Sequence, residues 1–516
     1  MKKIILTYGF LFVAIQLIAQ QNTQLLHSYF KDQLFNTARS ETYVGSSFLP
    51  VLESEYNINY ITRDSSKQYY DFTEVLFKKH LLEAKGENYK LTISPIFDLA
   101  MGKDLKDTTH STLFQNTRGL FIEGDLMKNF SFMTSVYENQ SRFNQYETSY
   151  YSSLGEMYPQ GANYITQNAV IPGAGRTKPF KTNGFDYAYA IGNIVYHPIR
   201  ALAIIAGNSA QFIGDGHRSV LLSDNSVSAP FFRIDYKISN KWEFNYLRTK
   251  LFNLMRRPAS TTVEAYYETK GYSVNYLTYK PIDRFSVSLF EGIIWSKGDS
   301  ITSSRVHPLF YNPIPLVSGL ILSKEKVNSL YGLNLSFALK SNHRFYGQFG
   351  FSNLSIEHAA FQIGYRGYNY FGLKDFMFQL EYNNVAENTY NSAVSRLNYS
   401  AYNLPIAHVK GNAFQEILLR TNYSYKRMYL DVKANYYLLN NFSSVSLLPV
   451  NKQLPTTDGT ILLTQLELGY RFNKLMNFSI FGTWLFRNEQ SDFIDLTTNQ
   501  FTIGLRTGLL NHYNDF

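Results

Sequence analysis

The chain has 516 residues, and its 49 Lys and Arg residues against 40 Asp and Glu give a modest net charge of +9. The basic residues are scattered rather than clustered, which argues against a nucleic-acid-binding surface. The absence of Cys excludes disulfides, thiolate metal sites and a lipidated N-terminal Cys.

The first 20 residues have the pattern of a secretory signal peptide. Lys2 and Lys3 precede an apolar run from Ile4 to Ile15, and Ala19 is a small residue at a suitable cleavage point. Beyond this segment, no apolar run approaches the roughly 20 residues that a membrane helix needs. We therefore expect an exported chain, with residues 1–20 removed.

Residues 21–85 show no clear strand alternation. Two short helices are expected here, at about 25–35 and 72–82, and Asp71 is a suitable N-cap for the second. We interpret residues 21–85 as a periplasmic or plug-like segment and residues 86–516 as a separate β domain.

Apolar and polar side chains alternate repeatedly from residue 86 onward. At 229–239, Phe232 and Tyr236 share one face, whereas Arg233 and Asp235 share the other. A strand of this kind needs an apolar medium on one side and water on the other. The 41 Tyr and 40 Phe residues suit such strands and the aromatic girdles of membrane barrels. Strands are expected at about 88–103, 115–126, 129–141, 184–196, 200–208, 229–239, 241–252, 270–280, 284–295, 328–340, 343–352, 358–367, 374–384, 412–425, 427–440, 461–473, 476–488 and 498–514.

The links between these segments alternate between short and long, apart from a short link at 353–357 where a long one is due. Outer-membrane barrels have short periplasmic turns, long outer loops and an even number of strands. We therefore predict an all-β fold, a transmembrane outer-membrane β-barrel of about 18 antiparallel strands with a short, partly helical N-terminal segment. The alternative is a soluble sheet, but its exposed apolar edge would invite aggregation.

The last segment is typical of a terminal barrel strand, because it is amphipathic and ends on the aromatic residue Phe516. Phe501, Ile503 and Leu509 share its apolar face. We therefore expect all three side chains to face lipid.

Four irregular motifs carry a family resemblance. The first is Asn208-Ser-Ala-Gln-Phe-Ile-Gly-Asp-Gly-His-Arg-Ser-Val-Leu-Leu-Ser-Asp-Asn225; the others are Pro-Gly-x-Gly-Arg-x-Lys-Pro-Phe at 172–180, Pro-x-x-His-x-x-Gly-Asn at 405–412, and the tail Arg-Thr-x-Leu-x-Asn-x-Tyr-x-Asp-Phe. Together they resemble the Wzi-like capsule-assembly family, and within it the gliding-motility branch that includes RemB.

The resemblance runs from about residue 85 to the end of the chain. It implies an 18-stranded barrel with a partly plugged lumen and a part in holding or assembling surface polysaccharide, or in gliding. The sequence departs from the pattern at His217, where an aromatic residue is expected, and at His512, where Arg is expected. These two departures affect what the resemblance implies about the identity of the ligand more than what it implies about the fold.

Asp215, His217 and Ser219 lie within five positions and invite comparison with a hydrolase triad. A triad is defined by its geometry, and side chains at i and i+2 of an extended segment rarely converge, so no enzymatic activity is expected. The plainer interpretation is a Gly-rich turn whose polar groups satisfy one another in the barrel mouth.

The third interpretation of these loops is glycan binding. Basic side chains donate hydrogen bonds to acidic sugar groups, and aromatic rings stack on sugar rings. The candidate ligand-binding residues are Arg176, Lys178, Phe180, Asp215, His217, Arg218, Asp224, Tyr402 and His408, with further donors at Lys181. His408 lacks a partner at metal-ligand spacing, so we expect a hydrogen-bonded loop residue and neither a metal nor a cofactor.

Charged residues on the inward faces of the strands are expected to form ion pairs in the lumen. A watery or plugged interior tolerates them, whereas a lipid-facing position does not. The residues concerned are Arg233, Asp235, Glu381, Lys433 and Arg471.

The sequence therefore favours a non-enzymatic barrel in the cell outer membrane, in contact with outer-membrane lipid and engaged in surface polysaccharide (capsule) attachment or assembly, or in gliding motility. The expected partners are surface polysaccharide or lipopolysaccharide and the gliding or secretion machinery. The alternative is an outer-membrane channel or transporter for a small solute.

Overall fold

The computed structural model describes residues 22–37, 46–52, 71–107, 112–160, 163–256, 267–297, 306–322, 326–340, 342–450 and 455–516. The expected signal peptide at 1–20 lies outside these ranges. Within them, 18 long strands form one antiparallel sheet that closes on itself.

The strands follow one another around the wall in chain order, and each pairs with the next. They are β1 Tyr89–Asp104, β2 Thr112–Leu126, β3 Phe130–Arg142, β4 Gly184–Ile199, β5 Leu202–Ser209, β6 Ala229–Lys237, β7 Trp242–Arg256, β8 Tyr267–Ile282, β9 Phe285–Trp295, β10 Val327–Lys340, β11 His343–Ser352, β12 Ser355–Tyr368, β13 Phe376–Val385, β14 Phe414–Tyr425, β15 Met428–Phe442, β16 Thr457–Asn473, β17 Phe478–Ser491 and β18 Asp495–Thr507.

The seam between β18 and β1 closes the barrel. Residues 500–506 pair with residues 98–104, from Gln500 opposite Asp104 to Arg506 opposite Asp98. The transmembrane β-barrel of 18 antiparallel strands predicted from the alternation is thereby confirmed.

The short link at 353–357 fits the barrel after all. Asn353 and Leu354 both have positive φ, 48° and 61°, and join β11 to β12. Two consecutive residues with positive φ are typical of a tight hairpin turn whose twist matches the flanking strands. The irregular segment after this link is therefore a complete strand.

In the described part of the chain, four helices and several short strand pairs accompany the wall. The helices are α1 Ser28–Thr37, α2 Asp71–Phe77, α3 Gln145–Ser153 and α4 Val317–Ile321, with 3₁₀ turns at Pro308–Tyr311, Tyr370–Gly372 and Ser395–Leu397. The short pairs are Phe48–Leu49 with Phe212–Ile213, Glu156–Gln160 with Asn163–Gln167, Val170–Ile171 with Gly175–Arg176, and Ser400–Ala401 with Leu404–Pro405; Leu82–Lys85 pairs with β1 and Lys178–Phe180 with β4.

Helix α1 lies against the inner wall. Its Asp32 carboxylate contacts the Arg420 guanidinium of β14 at 2.7 Å, and Arg366 of β12 stacks over the Phe35 ring at 4.4 Å. Helix α2 lies at the short-turn end, where Asn473 donates to the carbonyl oxygens of Val75 and Lys79. The expectation of a helix reaching residue 82 is wrong, because Leu82–Lys85 pairs with β1 instead.

The final residues leave the wall and turn into the lumen. The last strand ends at Thr507, not near residue 514, and Leu509 is 1% exposed whereas Ile503 on the wall is 64% exposed. The expectation that Leu509 faces lipid is therefore wrong: it packs beside Phe30 of α1 in an interior cluster. Among the described residues, no helix has the length and apolar character needed to cross a membrane.

Leu335 tests the lipid-facing side of the wall. It is an exposed, outward-facing residue of β10, so Leu335→Arg is expected to destabilise the barrel in lipid vesicles by about 2–4 kcal/mol. The measurement is denaturant unfolding in vesicles. Ile356→Arg, at the outer-loop end of β12, is the matched control and is expected to cost only about 0–1 kcal/mol. Equal losses of stability in the two variants would contradict the placement of Leu335 in the hydrocarbon layer and of Ile356 near its edge.

Candidate functional site

The centre of the lumen contains a buried carboxylate held by basic residues from different parts of the chain. The Asp515 side chain is fully buried, and its Oδ2 lies 2.9 Å from Arg218 Nη2 and 2.8 Å from Lys433 Nζ of β15. His217 Nε2 lies 3.8 Å from the same oxygen. The tail, the loop after β5 and the wall therefore meet at one charge.

Glu416 of β14 provides the second carboxylate of this network. Its oxygens lie 3.3 Å from Arg218 Nη2 and 2.7 Å from His408 Nε2. Asn383 and Asn435 donate side-chain hydrogen bonds to it from neighbouring strands. His408 is thus a hydrogen-bonded loop residue, as the sequence indicated, and it brings the loop after β13 into the network.

The Gly-rich loop after β5 satisfies its polar groups partly from within and partly through the wall. Asp215 pairs with Arg344 of β11 at 2.9 Å, and Ser219 donates to the carbonyl oxygen of Ile213 at 2.6 Å. Glu381 of β13 accepts hydrogen bonds from the backbone amides of His217 and Arg218. The expected mutual satisfaction is therefore present in part: Ser219 is satisfied within the loop, whereas wall residues inside the lumen supply the partners of Asp215 and of the two backbone amides.

The same contacts bear on the hydrolase comparison. Asp215, His217 and Ser219 each contact a different residue and not one another: Arg344 on the wall, Asp515 in the tail and Ile213 within the same loop, respectively. A triad requires the acid, base and nucleophile to be hydrogen-bonded in series. Their arrangement is that of structural residues holding a loop.

Asp224 anchors the tail from the other end of this loop. The Tyr513 hydroxyl donates to Asp224 Oδ1 at 2.6 Å, and Asn511 Nδ2 donates to its Oδ2 at 3.0 Å. Asn511 also donates to the Leu26 carbonyl oxygen, which joins the tail to the residues before α1.

Burial decides the protonation of the two histidines in the network. Burial lowers the pKa of His217 to about 3, although the neighbouring Asp515 acts in the opposite direction. Burial also lowers the pKa of His408, against the effect of Glu416. For Asp515, burial acts to raise the pKa, but Arg218 and Lys433 outweigh it and hold the pKa well below its usual range. The network at neutral pH therefore combines neutral histidines with ionised carboxylates.

Arg176 and Tyr402 brace loops. Glu156 accepts from Arg176 at 2.9 Å, from Arg256 at 3.1 Å and from the Tyr267 hydroxyl at 2.6 Å. The Tyr402 ring lies 5.5 Å from Phe252, and its amide donates to the Phe252 carbonyl oxygen.

Lys178 and Phe180 lie apart from the central network, at the loop end of the wall. The Phe180 ring meets the Phe114 ring edge-on at 6.4 Å, with Lys181 over Phe180 at 5.2 Å and Arg142 over Phe114 at 5.7 Å. We call Phe114, Arg142, Phe180 and Lys181 the rim patch. Sequence reasoning missed Phe114 and Arg142, since nothing in their spacing indicates that they end strands beside residue 180.

Two cavities adjoin inside the barrel. An outer cavity of about 210 Å³ is lined by Phe114 and Arg142 of the rim patch, with Glu147 and Tyr151 of α3. An inner cavity of about 160 Å³ is lined by α1 and by the turn-end residues of β14, β15, β16 and β18. Both are lined by Asp98, Lys433, Gln465, Glu467, Arg506, His512 and Tyr513, so the tail lies between them.

The expected lumen ion pairs are present in part. Arg233 contacts Asp235 at 2.7 Å, and Lys433 contacts Asp515. Glu381 instead accepts from the loop backbone and from Tyr346, while Arg471 donates to Asn477 and stacks on the rings of Tyr29 and Tyr429. Among the residues that the structure describes, no group of three or more His, Asp or Glu is placed to hold a metal ion.

Solved structures resemble this fold. Wzi of Escherichia coli, an outer-membrane protein involved in group 1 capsule assembly and a carbohydrate-binding β-barrel, has a TM-score of 0.56 at 12% identity, over 95% of this chain and 100% of its own. The chain has a Wzi-like fold. At this identity the similarity shows the fold alone, and the RemB branch stays a prediction.

Other similar structures have lower scores. OccAB2 of Acinetobacter baumannii has a TM-score of 0.43 at 8% identity, over 81% of this chain and 97% of its own. OprD of Pseudomonas aeruginosa has a TM-score of 0.43 at 11% identity, over 82% and 96%. No family model and no curated protein matches the chain.

Arg218 tests the central network. Arg218→Met is expected to destabilise the protein by about 3–5 kcal/mol, because it leaves the buried carboxylates of Asp515 and Glu416 without a shared partner. The measurement is denaturant unfolding in detergent. Arg118→Met removes an exposed partner of Glu138 and is expected to change stability by no more than about 1 kcal/mol. A loss at Arg218 as small as that at Arg118 would rule out the network as a structural centre.

His217 provides a pH test. Because its pKa is lower in the folded state, the unfolded state binds the additional proton between pH 6.5 and 3, so stability falls as the pH drops through this range. Between pH 7 and 5 this histidine is expected to contribute a loss of about 2 kcal/mol. In His217→Phe the loss over the same interval should be smaller by about that amount, as measured by unfolding at each pH. An identical dependence of stability on pH in the unmodified protein and in His217→Phe would contradict the lowered pKa of His217 in the folded state.

Proposed function

We propose that the protein is a non-enzymatic barrel of the cell outer membrane that holds or helps to assemble surface polysaccharide. A role in gliding motility, through contact with gliding or secretion machinery, belongs to the same proposal. The observation that carries it is a filled lumen behind an outer cavity whose lining includes aromatic and cationic side chains beside carboxylates.

The filled lumen favours holding a ligand over passing one through. Helix α1, the loops after β5 and β13 and the tail all make ion pairs or hydrogen bonds with the inner wall. Breaking a buried pair by removing one partner typically costs about 3–5 kcal/mol, so these segments are held firmly. A polymer such as a polysaccharide can be held at the outer surface of the barrel and does not have to pass through the lumen.

The rim patch has the chemistry that sugars need. Aromatic rings provide flat apolar faces, and guanidinium and ammonium groups donate charge-assisted hydrogen bonds to acidic sugars. Arg142 and Phe114 also line the outer cavity, so the patch and the cavity form one continuous surface. Lys178 is exposed beside it. Of the nine candidate residues, Lys178 and Phe180 are therefore the ones that we assign to glycan contact.

The rim patch gives a direct binding test. Arg142→Ala combined with Phe180→Ala is expected to weaken binding of an extracted acidic surface polysaccharide by about tenfold or more, because losing a charge-assisted hydrogen bond costs about 1.5–3 kcal/mol. Binding to the purified protein in detergent is measured by calorimetry. Lys241→Ala, in the exposed turn between β6 and β7, is the control and should bind as the unmodified protein does. Equal binding by both variants would contradict the rim site.

The cellular role has its own test. Deletion of the gene should reduce surface polysaccharide staining or cell spreading, and the Arg142→Ala, Phe180→Ala variant should not restore it. Unchanged capsule and motility after deletion would contradict the proposal.

A channel for a small solute is the second candidate, favoured by the two adjoining cavities. The two functions differ in ion conductance. In a planar bilayer a barrel filled by its own segments should show little conductance, whereas an open path between the cavities would produce stable steps.

A further inference from the structure

The link between β9 and β10 contains an uncharged segment. Residues 306–322, Val-His-Pro-Leu-Phe-Tyr-Asn-Pro-Ile-Pro-Leu-Val-Ser-Gly-Leu-Ile-Leu, include no Asp, Glu, Lys or Arg, although 17% of the chain is charged. They form the 3₁₀ turn Pro308–Tyr311 and the short helix α4. We call residues 306–322 the flap. An outer loop standing in water would be expected to carry charge.

The barrel wall beneath the flap carries polar residues on its outward face. Arg248 of β7, Asn275 of β8 and Glu291 of β9 alternate with Leu247, Val274 and Phe290, which belong to the core inside the lumen. Arg248 Nη2 donates to Asn275 Oδ1 at 3.1 Å, and Asn275 Nδ2 donates to Glu291 Oε2 at 2.9 Å. The three residues form a hydrogen-bonded row across three strands.

This polar row lies at the height of the hydrocarbon. Counted outward from the short turns, Arg248 and Glu291 each occupy the fourth outward-facing position of their strand. On β14 the five outward residues from the turn, Tyr425, Tyr423, Thr421, Leu419 and Ile417, are all uncharged. An arginine facing lipid at such a height is unfavourable, so the row needs a cover.

The flap supplies that cover. The Asn312 carbonyl oxygen accepts from Arg248 Nη2 at 2.7 Å and from Asn275 Nδ2 at 3.3 Å. The Phe310 ring lies edge-on to the outward-facing Trp295 at 5.9 Å. As a result Arg248, Asn275 and Glu291 are buried even though they face away from the lumen.

Gly319 fixes the second half of the flap to the wall. A Cβ at this position would overlap the hydroxyl of Tyr331, an outward-facing residue of β10. The close approach requires a residue without a side chain. Helix α4 therefore lies flat against the wall.

The opposite face of the flap is apolar and exposed. Tyr311, Ile314, Leu320 and Ile321 are between 59% and 64% exposed. This surface continues the lipid-facing band of β9 and β10, where Leu289, Leu333 and Leu335 point outward. Large apolar side chains projecting from a segment without charges suit an apolar medium and not water.

We propose that the flap is embedded in the membrane, with Tyr311, Ile314, Leu320 and Ile321 in contact with the acyl chains of the outer leaflet. The flap turns a polar part of the wall into a lipid-binding surface. It is thus an element of the membrane interface and not an extracellular loop.

Fluorescence quenching tests this proposal, because the chain has no Cys and a single introduced thiol labels one site. Ile314→Cys and Leu320→Cys carry an environment-sensitive fluorophore in phosphatidylcholine vesicles with brominated acyl chains. Leu335→Cys on the wall and Lys178→Cys in the exposed short strand beside β4 are the lipid and water controls. Brominated lipid is expected to quench both flap sites as strongly as Leu335→Cys, and iodide should quench them at least severalfold less than Lys178→Cys.

Two outcomes would overturn the proposal. Iodide quenching of the flap sites equal to that of Lys178→Cys would place the flap in water. Protection from both quenchers would place its apolar face against protein, such as a second copy of the chain.

A second variant tests the attachment of the flap. In the Leu320→Cys background, Gly319→Leu should displace α4 from Tyr331 and change the quenching by brominated lipid at least twofold. Gly482→Leu is the matched control, since a side chain there meets open space on the wall, and it should leave the signal unchanged. Equal signals in the two glycine variants would contradict the docked position of α4.

Discussion

A backbone amide or carbonyl group has no hydrogen-bonding partner in hydrocarbon, and this constraint determines the architecture. The only way for a sheet to satisfy it is to pair its last strand with its first. Here β18 meets β1 over residues 500–506 and 98–104. Closure then divides the side chains into those that face lipid and those that face an enclosed interior, and the alternation along each strand follows from that division.

The enclosed interior imposes a second constraint, which concerns the polar side chains that face inward. Polar side chains facing inward need partners, and much of this lumen is occupied by protein rather than left as one open pore. Asp515 is the meeting point, because Arg218, Lys433 and His217 reach it from a loop and from the wall. Buried ion pairs contribute little net stability compared with apolar packing, but an unpaired member is costly. Their effect here is to define where each interior segment lies.

The strands were predictable because their signal is local. Period-two alternation needs no knowledge of distant residues, and it located all 18 strands, including the irregular one between Ser355 and Tyr368. It failed at Leu509, where apolar residues continue although the chain leaves the wall. Alternation reports which side of a strand is apolar, but it does not report where the strand ends.

The site depended on contacts that no local pattern contains. Lys433 is recognisable as an inward-facing charge, but its connection to Glu416 through Arg218 and Asp515 joins four separate segments. Arg248 depends on a distant contact in the same way: alternation places this charge on the lipid side, and only the flap explains why that position is tolerated.

The position of the tail has a consequence for how the molecule is built. Asn511 bonds to Leu26 across 485 residues of sequence, and Asp32 bonds to Arg420 across 388. Contacts between such distant residues form slowly, because the chain must lose much of its freedom before they are made. Residues 22–37 and the C-terminal tail lie within a barrel whose wall closes by joining its first and last strands. We therefore expect the interior segments to associate with the wall strands before β18 pairs with β1. The wall then closes around segments that are already in place, and these segments do not enter a finished barrel.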